Sequence, residues 1–348
     1  MVRLAKLSGR LLATAKAIWI GGSPFAAITA MWPTNDEGKY VIQAEGIRVG
    51  FTSYGAAVTN VWVNDTHGRE LDVVLGLDHA EMYVDSGLNP YLNGMVGRYS
   101  GYINDATYEV DGVRHKLYAN AHGGSATHNG GARGWGRRAW ALPNHQDHTI
   151  SFVMFDRSWN GFPGLYVACV THTVTPYRWD VGIGVTPLLM PGGPLNLGQQ
   201  VYWNLDGLQE VNGTRTVLDH RLSLPVSGMR FHLDDRGVST GDLLANRKGS
   251  KHDFWSGSAR LGDTGLEGGK YDQTFMLSHR HQDLQSKREN PVAVLSSPHS
   301  GISVELYTDQ DALHVHTWDG QKGAFLFLSF CVSFFFFPNQ RNTKTNNT

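Results

Sequence analysis

The sequence predicts an all-β protein, built as an antiparallel sandwich or barrel. Short segments with apolar or alternating side chains recur along the chain and are separated by turn residues. Glycine occupies 41 of the 348 positions, above the usual share of about 7%. Beyond the first 20 residues, no long segment repeats its apolar side chains with a helical period. Together these observations favour many short strands and tight turns over helices.

The predicted strands start near Tyr40 and continue through most of the chain. The clearest of them cover residues 48–54, 57–63, 72–76, 106–110, 113–117, 150–155, 165–174, 181–186, 199–205, 302–308 and 312–318. Between two of them stands the pair Asp111-Gly112, which is typical of the type I′ turn of a β-hairpin. We expect one domain over residues 36–323, because no linker divides this region.

The two ends of the chain differ from this domain. Residues 1–35 form a predicted N-terminal extension, with basic residues followed by an apolar stretch, typical of either a signal or a targeting segment. Secretion and a cytoplasmic location both stay open. Residues 324–348 form an atypical Phe-rich tail, whose apolar part is shorter than the roughly 20 residues of a membrane helix. It suits a buried strand or an aggregation-prone tail, and we do not expect a membrane anchor.

Composition excludes several classes of function. The chain has 30 basic and 31 acidic residues, so no basic surface favours nucleic acid. Two cysteines, Cys169 and Cys331, are too few for a disulfide framework or a cysteine-based zinc site. We expect no cofactor, and a monomer or a dimer.

Several sequence motifs follow one another in an order that is informative about the family. Residues 194–207 read Pro-Leu-Asn-Leu-Gly-Gln-Gln-Val-Tyr-Trp-Asn-Leu-Asp-Gly, after Asp72-Val-Val-Leu-Gly76 and Asn160-Gly-Phe-Pro-Gly164 and before Tyr271-Asp272. Over residues 40–323 the chain resembles the aldose 1-epimerase (galactose mutarotase) family. The resemblance implies a large antiparallel β-supersandwich whose concave face holds a monosaccharide or another cyclic hemiacetal.

The resemblance also implies a chemistry, the interconversion of α and β anomers by acid–base ring opening. The family uses a histidine acid and a glutamate base, and a second histidine, an arginine and an aspartate hold the sugar hydroxyls. In this sequence Gln200 takes the place of the acid, Asn129 that of the second histidine and Tyr102 that of the arginine. Asp272 is retained. The base is unknown, because the glutamate belongs to strands beyond Gly323.

Other side chains are candidates for the site. His128 stands beside Asn129 and could substitute for a lost histidine, although neighbouring residues of a strand face opposite sides, which predicts that it points away. Trp203 could stack on a sugar face. His314 and His316 would share one face of a strand, close enough to bind one metal ion. However, no third candidate ligand stands at a sequence spacing typical of a metal site. We therefore predict no metal site.

Three hypotheses follow. The chain is a hexose mutarotase with weak activity, a repurposed isomerase or cyclase acting on another cyclic hemiacetal, or a pseudoenzyme that binds carbohydrate without catalysis. Loss of acid and base together favours weak or absent mutarotation, since each such group contributes about 10²–10⁴ in rate.

Overall fold

The computed structural model describes residues 32–84, 92–110, 112–189, 192–207, 216–264, 271–277, 290–318 and 327–336. These residues form 23 strands and five short 3-10 helices, and they contain no α-helix. The predicted all-β fold is confirmed.

The largest sheet has seven strands, and all its neighbouring strands are antiparallel. In spatial order they are β17 (Ser239–Ala245), β16 (Met229–Leu233), β19 (Asp272–Met276), β22 (Ala312–Trp318), β23 (Phe327–Phe336), β14 (Leu195–Trp203) and β5 (Met95–Val96). Residues 327–336 of the Phe-rich segment form β23, between β22 and β14.

Three further sheets have four strands each. They are β1 (Tyr40–Ala44), β2 (Ile47–Thr52), β3 (Ala57–Asn64) and β4 (Glu70–Asp72); β10 (Ala141–Gln146), β11 (Thr149–Arg157), β12 (Leu165–Thr175) and β13 (Arg178–Leu189); and β18 (Ala259–Arg260), β15 (Arg221–Ser223), β20 (Ala293–Ser296) and β21 (Ser303–Leu306). Two short ribbons pair β6 (Tyr102–Asn104) with β9 (Ala126–His128) and β7 (Thr107–Val110) with β8 (Val113–Lys116). The 3-10 helices are Ala80–Tyr83, His122–Gly124, Trp135–Arg137, Trp159–Gly161 and Leu261–Asp263.

One large apolar core lies between the sheets. Leu197 and Val201 of β14, Phe275 of β19, and Leu313 and Val315 of β22 all belong to it. Burying an apolar side chain of this size stabilises a fold by about 1.5–3 kcal/mol. Because these core residues alternate with others along each strand, they fix which face of the seven-stranded sheet is left for a site.

A buried arginine holds the Gly-Phe-Pro-Gly turn. Nε of Arg98 lies 3.0 Å from Oδ2 of Asp156, and the two side chains are only 1% and 5% exposed. The guanidinium also donates hydrogen bonds to the carbonyl oxygens of Pro163 and Gly164. Trp135 donates its indole N–H to the same carboxylate oxygen, at 2.9 Å. The turn is thus anchored by a buried ion pair, and removing one of its two charges would strongly destabilise the fold.

The predicted strand over residues 72–76 is wrong in part. Strand β4 ends at Asp72, whose carboxylate accepts hydrogen bonds from the Val61 N–H at 2.9 Å and the Asn60 amide at 2.6 Å. After this point Val74 forms only an isolated bridge to Trp203. The carboxylate takes the place of a ladder partner, so regular pairing stops here.

Two predictions concern the ends of the chain. Residues 1–31 and 337–348 lie outside the described residues, as do residues 319–326. The division at residues 35 and 323 therefore stays a prediction. Within the described residues, no helix has the length and apolar character needed to cross a membrane.

Candidate active site

The candidate site lies on the face of the seven-stranded sheet opposite the main core. Along β14, Val201 and Trp203 pack into that core, so Gln200 and Tyr202 lie on the other side. In the strand register Gln200 is level with His314 of β22, with one residue of β23 between them. Their Cα atoms are thus roughly 9–10 Å apart on the same side of the sheet. We call this side the site face.

A carboxylate and two imidazoles meet on the site face. Strand β19 pairs with β22, placing Asp272 opposite His316 and Thr274 opposite His314. Oδ1 of Asp272 lies 3.0 Å from Nε2 of His314 and 3.6 Å from Nδ1 of His316. Nδ1 of His314 is 2.9 Å from Oγ1 of Thr274. We call Asp272, His314 and His316 the Asp272 cluster.

Asp272 is the ionised member of the Asp272 cluster. Burial alone would raise the pKa of Asp272, but hydrogen bonds from His314 and His316, together with their charges, hold this pKa well below its usual value. The side chain is nevertheless 62% exposed, against 24% and 28% for the two histidines. An ionised carboxylate therefore stands between two imidazoles and remains open to a ligand.

His128 approaches the Asp272 cluster from the neighbouring ribbon. It ends β9 opposite Tyr102 of β6, and the two rings stack with centroids 4.2 Å apart and planes 17° apart. Tyr102 also lies beside His122, with centroids 4.8 Å apart. His128 also interacts electrostatically with Asp272 and His314. The rings of His122, Tyr102 and His128 thus pack against one another beside the Asp272 cluster.

The protonation of His128 follows from its surroundings. Burial lowers the pKa of His128 to about 4, against the opposing effect of the Asp272 carboxylate. The imidazole is therefore neutral near pH 7. It can hydrogen-bond a ligand, but with so low a pKa it is a weak general base and holds no acidic proton to donate in that range.

The expectation that His128 points away from the site is wrong, because strand alternation does not continue past it. The next residue, Asn129, has a left-handed φ of 50°. Its amide oxygen accepts a hydrogen bond from the Gly101 N–H at 2.8 Å, and its side chain is buried. Asn129 is therefore held by the backbone of the facing strand, and its role in substrate binding stays a prediction.

The remaining predicted residues differ in position. Within the part of the chain that the structure describes, Oε1 of Gln200 is buried and has no hydrogen-bond partner, so a ligand hydroxyl that reaches it would satisfy this acceptor. Trp203 is 8% exposed within the main core, a position that does not favour stacking on a sugar. Both roles stay predictions.

Sequence reasoning missed the grouping of Asp272 with the two histidines. The alternation His314-Val315-His316 correctly placed both imidazoles on one face, and the family resemblance pointed to Asp272. Nothing in the residues indicated that β19 and β22 are neighbours, which is what brings these groups together.

The donor atoms also allow an ion to be considered. Two imidazoles and a carboxylate are a set that binds several metals, and here their donor atoms all lie within 4.8 Å of one another. In the structure, however, Nε2 of His314 faces the carboxylate oxygen at hydrogen-bonding distance. This geometry favours a hydrogen-bonded carboxylate–imidazole cluster.

Comparisons with known proteins agree with this architecture. The chain is 51% identical over 347 residues to Epimerase FSL3 of Gibberella zeae, an alignment that covers 92% of this chain and 79% of that one. It is 27% identical to human galactose mutarotase, covering 80% and 77% of the two chains. The crystal structure of the GalM/aldose epimerase homologue from C. elegans matches with a TM-score of 0.72 at 21% identity, covering 85% and 94%.

The comparison with protein families is equally extensive. The sequence profile described as aldose 1-epimerase matches residues 38–346, and thus includes the strands that hold Gln200, Asp272, His314 and His316. With the shared fold and the high identity to an epimerase, this match settles the relationship: the chain belongs to the aldose 1-epimerase family.

Proposed function

We propose that this protein opens and recloses the ring of a cyclic hemiacetal on the site face, and that free hexoses are poor substrates for it. The observation that carries the proposal is the Asp272 cluster: a carboxylate with two imidazoles, on the same side of the sheet as Gln200. The family membership and the identity to an epimerase support the reaction class.

The reaction needs two proton transfers. One group removes the proton of the hemiacetal hydroxyl while another donates a proton to the ring oxygen, and the bond between carbon and ring oxygen breaks. The carbonyl then turns, and the reverse steps close the ring on its other side. Imidazoles near neutral pH serve both purposes, and each positioned group accelerates the reaction by about 10²–10⁴.

Gln200 has a different use in this proposal. An amide neither gains nor loses a proton near neutrality, so it does not act as the acid. Its Oε1, which has no partner among the described residues, can accept a hydrogen bond from a substrate hydroxyl. Gln200 therefore holds the substrate next to the Asp272 cluster.

The groups expected to hold a hexose have changed. Tyr102 stands at the position of the family arginine and is stacked between His122 and His128. Asn129 has its amide oxygen bonded to the backbone of Gly101. One aromatic ring and one amide thus stand where the family has an arginine and a histidine, which supports a hemiacetal with fewer hydroxyls than a hexose.

Exchange measurements by NMR test the proposal. Saturation transfer between the aldehyde and hemiacetal protons of 2-hydroxytetrahydropyran reports ring opening, and polarimetry reports mutarotation of glucose and galactose. We expect acceleration of the simple hemiacetal that Asp272→Asn removes. Asp180→Asn, which changes a carboxylate paired with Arg178 on β13, serves as the matched control.

Two results would contradict the proposal. Enzyme-like acceleration of glucose or galactose mutarotation would show that free hexoses are good substrates. Saturable binding of the hemiacetal by calorimetry, with no exchange above buffer, would instead show a binding protein without catalysis.

A further inference from the structure

We propose that His314 and His316, through the carboxylate they share, form the acid–base pair of this reaction, one imidazole donating a proton while the other accepts one. The inference rests on the proposed function and assigns its two proton transfers to named residues. It locates both lost groups of the family on a single strand, β22, away from the position of Gln200.

The first step is the sharing of one oxygen. Oδ1 of Asp272 lies 3.0 Å from His314 and 3.6 Å from His316, so a positive charge on either ring is stabilised by the same anion. The two rings are nearly parallel, 13° apart, with centroids separated by 6.3 Å. Two positive charges so close repel each other, so the arrangement suits one ring acting as acid while the other acts as base.

The second step is the state of the neighbouring groups. The described side chains that face the pair are Asp272 and Thr274 of β19, Gln200 and Tyr202 of β14, and His128 of β9. Asp272 is ionised, and burial lowers the pKa of His128 to about 4, with His122 and Arg137 also disfavouring its charged form. His128 therefore adds no charge near pH 7 and leaves the proton transfers to the pair.

The third step concerns whether the two imidazoles can both contact the reacting oxygens of the substrate. The ring oxygen and the hydroxyl of a hemiacetal are bonded to the same carbon. The imidazole nitrogens that face Asp272 lie within 4.8 Å of each other. Each oxygen can thus be met by one ring at hydrogen-bond distance when the rings turn toward a ligand.

The protons balance over the step. The imidazolium gives its proton to the ring oxygen, which also receives the electron pair of the breaking C–O bond. The neutral imidazole takes the hydroxyl proton, and the O–H electrons form the carbonyl. The pair ends with the same total charge and with the two roles exchanged, so closure on the opposite side of the carbonyl runs the same transfers in reverse.

Thr274 positions one member of the pair. Its Oγ1 is 2.9 Å from Nδ1 of His314, which leaves Nε2 directed at the carboxylate. His316 has a looser contact with Asp272 and a perpendicular neighbour in Tyr202, with centroids 6.2 Å apart. Loss of the threonine hydroxyl should therefore change the pH profile of the reaction more than the substrate KM.

The experiment has two independent readouts on the full-length protein. The first is the NMR signal of the histidine rings in protein with labelled histidine, measured with and without 2-hydroxytetrahydropyran. We expect the hemiacetal to shift the ring signals of both His314 and His316, which the variants His314→Gln and His316→Gln assign. Ring signals that do not change on adding the hemiacetal would overturn the assignment whether or not turnover is detected.

The second readout is the rate of hemiacetal exchange. We expect His314→Gln and His316→Gln each to lower kcat by about 10²–10⁴, with a similar KM, and the double variant to fall little further. His148→Gln, in the exposed turn between β10 and β11, is the matched control. Thr274→Val should shift the pH profile. Single variants with wild-type kcat would refute the pair.

Two further outcomes separate the ideas. A wild-type protein without exchange on any hemiacetal, but with both ring signals shifted by the hemiacetal, contradicts the proposed function rather than the contact of the pair with the ligand. Activity that disappears on dialysis against EDTA and returns with a divalent cation would show a metal at the Asp272 cluster, and would overturn the acid–base assignment.

Discussion

Removal of the Asp156 carboxylate gives the sharpest prediction for the scaffold of the site. Asp156 and Arg98 are 5% and 1% exposed, and their charged atoms are 3.0 Å apart. Asp156→Ala leaves the guanidinium buried without its counter-charge, which costs about 3–5 kcal/mol. At a slope of about 3 kcal/mol per M, the urea midpoint should fall by about 1–1.7 M.

The assay is tryptophan fluorescence during urea unfolding, and it has an internal control. Asp180→Ala breaks the exposed ion pair with Arg178, whose side chains are 47% and 23% exposed. We expect that change to cost less than about 1 kcal/mol. Equal shifts for the two variants would refute the view that a buried charge anchors the Gly-Phe-Pro-Gly turn.

Three other changes test separate parts of the structure. Burial lowers the pKa of His172 to about 3. Below pH 6.5 the unfolded chain therefore binds a proton at this residue that the folded chain does not. The free energy of unfolding should fall between pH 6.5 and 3 by up to about 1.4 kcal/mol per pH unit. His172→Leu should reduce that slope in urea titrations at several pH values, and an unchanged slope would contradict this account. Gly130→Ala should destabilise the fold by more than about 3 kcal/mol, because its Cβ would lie 2.0 Å from the Gly97 carbonyl oxygen. Gly112 also has a positive φ, but the space around it is open, so Gly112→Ala should cost only about 1–2 kcal/mol. Gln200→His should leave hexose mutarotation within about tenfold of the wild type in polarimetry, since Tyr102 and Asn129 remain unchanged; a gain above about 10² would show that the acid alone was missing.

Much of the fold was predictable because its signals are local. Alternating side chains identified β22 at its observed bounds, Ala312–Trp318, and the residues around Asp111 and Gly112 predicted the hairpin of β7 and β8. Short strands such as β15 and β18 carry too few residues for a period to be visible. Their pairing depends on neighbours that are distant along the chain.

The site was predictable only in its parts. Asp272 came from a family motif, and the shared face of His314 and His316 came from alternation. Their meeting depends on the pairing of β19 with β22, a tertiary contact without a local signal. His128 was assigned to the wrong side because the left-handed conformation of Asn129 ends the strand, a turn that the residues Asn129-Gly130-Gly131 favour but that strand alternation alone does not take into account.

The central claim is that proton transfer on the site face belongs to the Asp272 cluster. The most direct measurement is the exchange rate of 2-hydroxytetrahydropyran with wild-type protein and with His316→Gln, compared by saturation transfer at equal protein concentration. We predict wild-type acceleration and a loss of at least about 10²-fold in the variant. Equal rates for the two proteins would contradict the account.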